Sequence, residues 1–130
     1  MKQWQAGEKV TAEYKTGVYI GEIVEMTSPM KAAVKVLAVV EHPTQGDLHQ
    51  PMDGGVSFFH QRRALSHQEI ALMPVGSLKP YGGPVPDYRE SLKRALAAQR
   101  AELSNAQRWA ERSLQELEQL NKEYFPHESP

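Results

Sequence analysis

Glycine and proline are distributed so unevenly along this chain that they divide it before any other feature is considered. All nine glycines and seven of the nine prolines lie within residues 1–86. Residues 87–125 hold neither, and Pro126 and Pro130 close the chain. Glycine admits the left-handed backbone that tight turns need, and proline removes a backbone donor, so the first region must turn often. The second, rich in Leu, Ala, Glu, Arg and Gln, is free to run as helix. Three segments follow from the break: a β module over 1–86, a helical segment over 87–125 and a tail over 126–130.

Within the β module, Val10, Ala12 and Tyr14 alternate with Lys9, Thr11, Glu13 and Lys15, the period-2 pattern of a half-buried strand. Lys15-Thr16-Gly17 reads as a short turn, with Gly17 the residue suited to positive φ. Val18 to Met26 is the return strand, broken by Thr27-Ser28-Pro29. A third strand covers Lys31 to Glu41, with Ala32, Val34, Val36, Ala38 and Val40 on one side. Its far end is apolar on both faces, which marks it as the most buried strand. A loop from His42 to Gly54 follows, then strand candidates at Val56–His60 and Ala64–Leu72, with Leu78 to Tyr81 closing the module. Short strands at turn-sized spacing, with no helix among them, give an α+β fold: a small antiparallel SH3-like barrel or curled sheet followed by helix.

The helical segment opens at Pro86-Asp87-Tyr88-Arg89-Glu90, where Asp87 and Glu90 are spaced as a capping box. Leu92, Leu96, Leu103, Ala106, Ala110, Leu117, Leu120 and Tyr124 recur at steps suited to one apolar stripe, widened by Trp109 and Leu114. An unbroken helix over 87–125 is about 58 Å long, whereas an 86-residue module is roughly 30 Å wide. Covering the stripe therefore favours two helices, with the break near 104–105, where Ser104 and Gln107 are spaced as a second capping box. Trp109 and the stripe are expected to pack on the sheet or on each other, and the stripe can alternatively serve as a homodimer seam.

Several function classes are excluded by residue content. There is no cysteine, hence no disulfide, thiolate metal site or cysteine nucleophile. Basic and acidic side chains number 15 and 16, and they balance within each region, eight of each over 1–86 and seven of each over 87–125. A nucleic-acid binder needs a basic excess to neutralise phosphates, so an SH3-like nucleic-acid module is the lesser reading. The opening residues lack the apolar core of a signal peptide, and no stretch reaches the length of a membrane span. A cytoplasmic location without direct membrane insertion is the expectation.

His42, Asp47 and His49, with His60 downstream, form the densest polar cluster. Ligand spacing within a single loop is nearly unconstrained, and Asp47 after Gly46 fits a turn equally well, so no metal or other cofactor is expected. The helical segment carries no histidine to accept a phosphoryl group, since His127 lies beyond it. Asp47 and Asp53 share one loop and lack the acidic company that a Mg²⁺-assisted phosphoryl acceptor requires. With no G-x-S-x-G elbow either, the reading is non-catalytic. Arg62-Arg63 reads as a solvated pair. Phe58 and Phe59 would point to opposite faces of a strand, one into the core. The His42–Gly54 loop is long for this module, and Gln45, Gly46, Asp47 and His49 add little to an apolar core. With His60, they are the candidate partner-binding surface.

The run Tyr14-Lys15-Thr16-Gly17-Val18-Tyr19-Ile20-Gly21-Glu22, then Ala33 to Val39, His42 to His49, Phe58-Phe59-His60 and Lys79-Pro80-Tyr81, occurs in a distinctive order. That order resembles the kinase-associated protein B family of spore-forming bacteria, and the likeness extends through Val85-Pro86-Asp87-Tyr88 to Glu123-Tyr124-Phe125-Pro126. The resemblance implies an antiparallel sheet with an extended helical region. It further implies a role beside a membrane sensor histidine kinase that feeds the phosphorelay starting sporulation. Members have been described as lipoproteins, and this sequence departs from that in having neither a lipobox cysteine nor a signal peptide. Any membrane association is then expected to be peripheral, through a partner. The resemblance brings no catalytic residues.

Overall fold

The architecture, taken from a computed structural model that describes residues 3–128, is a five-stranded antiparallel sheet followed by one helix. Met1, Lys2 and the Ser129-Pro130 end of the expected tail lie outside the described residues. The strands are β1 (Lys9–Tyr14), β2 (Gly17–Met26), β3 (Lys31–Glu41), β4 (Ile70–Pro74) and β5 (Lys79–Pro80), and the helix is α1 (Tyr88–Tyr124). A 3-10 turn at Val75–Ser77 links β4 to β5. Sheet order is β4-β3-β2-β1-β5. β1 also lies against β4 without pairing to it, so the sheet curls on itself around its core. Pro74 and Pro80 sit in the two edge strands, where a missing backbone donor is tolerated.

Alternation explains the core. Val10 and Ala12 of β1, Ile23 of β2, Ala32, Val34, Val36 and Ala38 of β3, and Met73 of β4 are all buried. β3 is the most apolar strand and pairs on both sides, as its composition implies. Its far end departs from simple alternation. Tyr19 pairs with Val39 and Val18 with Glu41, so Val40 is passed over, and Leu37 is passed over between Ala38 and Val36. These bulges turn Val39 inward and leave Val40 exposed, the reverse of the expected phase.

Two glycines of β2 are required for space rather than for turning. A Cβ on Gly21 would stand 2.4 Å from Val34 Cγ1 and 2.7 Å from the Lys35 carbonyl oxygen. A Cβ on Gly17 would meet the Tyr19 hydroxyl at 2.5 Å. The positive φ in that hairpin belongs instead to Lys15, at 54°, within the two-residue turn closed by the Tyr14–Gly17 pair.

Three expectations are corrected. Val56–His60 forms no strand, and the Ala64–Leu72 candidate is reduced to a strand at Ile70–Pro74. Gln68 adopts φ 69°, which interrupts extended backbone just ahead of β4. Residues 42–69 therefore carry neither strand nor helix. The helical segment is one helix, running through Ser104-Asn105 without a break. Its start is as read, with the Asp87 carboxylate accepting from the Glu90 N–H at 3.1 Å.

The chain divides into two compact units, Met1–Leu96 and Ala97–Pro130. The division falls inside α1 because its first turns belong to the sheet's core. Tyr88, Ser91, Leu92 and Ala95, at i, i+3, i+4 and i+7, form the face that packs there. Ser91 Oγ accepts from the Val39 N–H at 2.9 Å and donates to the Tyr88 carbonyl at 2.7 Å, so a buried hydroxyl ties helix to strand. In the second unit Leu103, Trp109, Leu114, Leu117 and Tyr124 are each more than half exposed, so the expected packing of the stripe is not what the helix shows.

Candidate functional site

The segment between β3 and β4 is where irregular backbone concentrates, and long irregular segments in small domains are commonly functional. Several of its backbone groups find partners in side chains rather than in a ladder. Gln45 is the main clamp. Its Oε1 accepts from the Arg62 N–H at 2.8 Å, while its Nε2 donates to the Arg62 carbonyl at 2.9 Å and to the Pro43 carbonyl at 3.1 Å. The amide thus takes the place of a neighbouring strand for Arg62. Beside it the Gly46 N–H donates to the His60 carbonyl at 2.9 Å, and Arg62 Nη2 donates to the Gly46 carbonyl at 3.1 Å.

These bonds bring three of the five candidate residues, Gln45, Gly46 and His60, to one place. Gly46 is fixed there twice over. Its φ is 99°, and a Cβ would stand 2.8 Å from the Phe59 ring. Asp47 and His49 continue outward as a local turn, in which Asp47 Oδ1 accepts from the His49 N–H at 2.8 Å and the Asp47 carbonyl accepts from the Gln50 N–H. His49 and His60 are exposed and Asp47 is half-buried. Among the described residues, no three His, Asp or Glu side chains stand together as a metal site.

Phe58 and Phe59, one of which was expected in the core, are 70% and 58% exposed. Without a strand at Val56–His60 there is no pleat to direct one of them inward. The Phe58 ring instead lies 4.6 Å from the His60 ring, centroid to centroid. The surface is therefore more apolar than its polar candidates imply, a property missed by treating the two aromatics as strand residues.

Leu65 anchors the far end of the segment. Its N–H donates to the buried Tyr19 hydroxyl at 3.1 Å, and its carbonyl accepts from the Tyr88 hydroxyl. Two tyrosines, from β2 and from the first turn of α1, so hold both backbone groups of one residue. Burial pushes both phenols above their ordinary range. For Tyr19 the Leu65 hydrogen bond partly offsets that rise, and Glu69 adds to it for both.

A family model described as Kinase associated protein B matches residues 14–125. The chain is 50% identical over 126 residues to Kinase-associated lipoprotein B of Bacillus subtilis (strain 168), a match covering 96% of this chain and 98% of that protein. It is 42% identical to the kinase-associated protein B whose X-ray crystal structure is known from Bacillus cereus. That match covers 94% of this chain and 98% of the other, with a TM-score of 0.66.

Proposed function

The chain belongs to the kinase-associated protein B family, and on that premise we propose that it is a non-catalytic accessory protein that binds a sensor histidine kinase. The observation that carries the reading is 50% identity across nearly the whole of both chains, with no large insertion or missing segment to alter the role. The kinase in this proposal is a membrane protein that feeds the sporulation phosphorelay. The accessory chain is cytoplasmic and reaches the membrane through that partner. No helix among the described residues is long and apolar enough to cross a membrane. The 130 residues also contain no cysteine, so they hold no thiol to carry a lipid, although the relative is named a lipoprotein.

The proposed contact surface is the 42–54 loop with His60, and it includes Asp47 and His49 at the turn. Support comes from its length, its anchoring by Gln45 and the exposed Phe58 and Phe59 beside it. The exposed stripe of α1, centred on Trp109 and Leu117, supports a further element of the proposal, a homodimer seam. Light scattering at a dimer mass, reduced to a monomer by Trp109→Ala, is the expected result there, and a wild-type monomer refutes that element.

The main reading is tested by pull-down from sporulating cells, with mass spectrometry of retained proteins, followed by titration of the purified chain with the recovered kinase. A sensor kinase that is retained and binds directly supports it. A bait that retains no kinase, or a kinase that fails to bind the purified chain, defeats it.

A further inference from the structure

A pocket of about 230 Å³ opens beside the β1–β2 turn, lined by Tyr14, Lys15, Tyr19, Pro43, Gln61, Arg62 and Arg63. Three of the lining residues carry cationic side chains, and among the described residues none of them has a carboxylate partner. Lys15 stands 5.6 Å from the Tyr14 ring centre, an attraction far weaker than a carboxylate would offer. Arg62 is held by the Gln45 clamp through its backbone and by the Gly46 carbonyl through Nη2. Its Nε–H is buried without a hydrogen-bond partner among the described residues. One donor of that guanidinium is thus unmet, and like charges around one cavity repel each other, so the arrangement favours an anion.

We infer that this pocket binds a phosphate group. A carboxylate offers two oxygens and one charge. A phosphate offers three terminal oxygens and up to two charges, a better match to three cations approaching from two separate chain segments. Arginine forks suit phosphate oxygens, and Lys15 adds a mobile point charge. The Tyr19 hydroxyl supplies a neutral donor. It already accepts from the Leu65 N–H, which leaves its own proton to give, and burial keeps it protonated. Lys15 occupies its place because the turn holds it in the left-handed region at φ 54°, a strained choice for lysine where asparagine or glycine is the ordinary solution. The inference does not depend on the kinase reading, since every group in it belongs to this chain.

The test is calorimetric titration of the full chain at low ionic strength with inorganic phosphate, O-phosphoserine, serine and acetate. Nitrogen-15 spectra of the arginine Nε–H groups accompany it. Saturable one-to-one binding of a phosphate-bearing probe is expected, with a shift of the Arg62 Nε–H signal and no binding of serine. Lys15→Gln combined with Arg63→Gln, two exposed positions, should weaken that binding at least about tenfold while the melting temperature stays the same. Equal affinity for inorganic phosphate and phosphoserine assigns a free ion, and tighter phosphoserine binding assigns a phosphate carried on a larger molecule. Absence of saturation in the millimolar range overturns the inference. Acetate binding as tightly as phosphate, or a double variant that binds like wild type, overturns it as well.

Discussion

Replacing Tyr19 by Phe removes one oxygen and nothing else, and the structure fixes what that oxygen does. Tyr19 is 1% exposed, and its hydroxyl is the partner of the Leu65 N–H in a segment that has no ladder to fall back on. Losing the acceptor strands a buried donor, which costs about 1–3 kcal/mol. Tyr88→Phe removes a donor from the Leu65 carbonyl at a half-buried position. Water can replace it there, so the expected loss is smaller, about 0.5–1.5 kcal/mol. Both act on one residue, so the double variant should depart from additivity by about 0.5 kcal/mol or more. Denaturant unfolding measures all three. In a unit of this size, 1 kcal/mol corresponds to roughly 4–8 °C in melting temperature.

Alkaline titration gives the same residues a second, independent readout. Both phenols are raised above the ordinary tyrosine value in the folded state, chiefly by burial. The folded form therefore holds its protons longer than the unfolded form as pH rises. The associated stability is fully present below about pH 10 and is lost as pH climbs through the folded values. Wild-type stability should fall more steeply above pH 10 than that of the double Phe variant. A Tyr19→Phe protein within about 0.5 kcal/mol of wild type, with an unchanged alkaline slope, would refute the clamp.

Three further outcomes are expected. Asp47→Ala with His49→Ala removes an exposed turn bond and should shift stability by about half a kcal/mol or less while lowering kinase association, both measured on one preparation; unchanged binding counts against the loop as contact surface. Asn105→Pro should cost the helix about 3 kcal/mol and lower helical circular dichroism, because position 105 lies inside one continuous helix rather than between two; unchanged helicity would restore the two-helix arrangement. Gly21→Ala should destabilise by about 1–3 kcal/mol in thermal melts, since both close neighbours belong to the paired strand β3, and a neutral effect would show that the strands can separate there.

What was legible in the sequence was whatever local chemistry decides. Alternation placed β1, β2 and most of β3, because period 2 survives as long as each residue faces one partner. It lost phase at Val39 and Val40, where bulges in the β2–β3 register turn one residue of the pair inward and the other out. Asp87 was readable as the start of α1, since a cap bonds only three residues away. The break placed at Ser104-Asn105 was not real, because neither residue terminates a helix without help, and the argument for it assumed that an apolar stripe must be covered. The buried face of the first turns is Tyr88, Ser91, Leu92 and Ala95 instead, with the small residues Ser91 and Ala95 lying deepest in it.

The candidate surface resisted local reading for the same reason that makes it informative. Val56–His60 has strand composition but forms no ladder, and nearby Arg62 has both its backbone groups answered by the Gln45 side chain 17 residues earlier. Leu65 is likewise answered by tyrosines 46 and 23 residues away. No window of sequence contains such pairs, so residues 42–69 read as disconnected pieces: a polar loop, an aromatic strand and a basic pair. In the structure they form one body whose backbone is held from inside by Gln45, Tyr19 and Tyr88, leaving His49, Phe58, Lys15 and Arg63 exposed, while Asp47 holds only its own turn and Phe59 stands against Gly46. Side chains released from holding the fold are the ones free to meet a partner or an anion. The two groups can also vary independently. Tyr88→Phe should lower stability without selectively changing recognition, since Tyr88 belongs to neither the loop surface nor the anion pocket, whereas substitutions at the released positions should change recognition and leave stability in place.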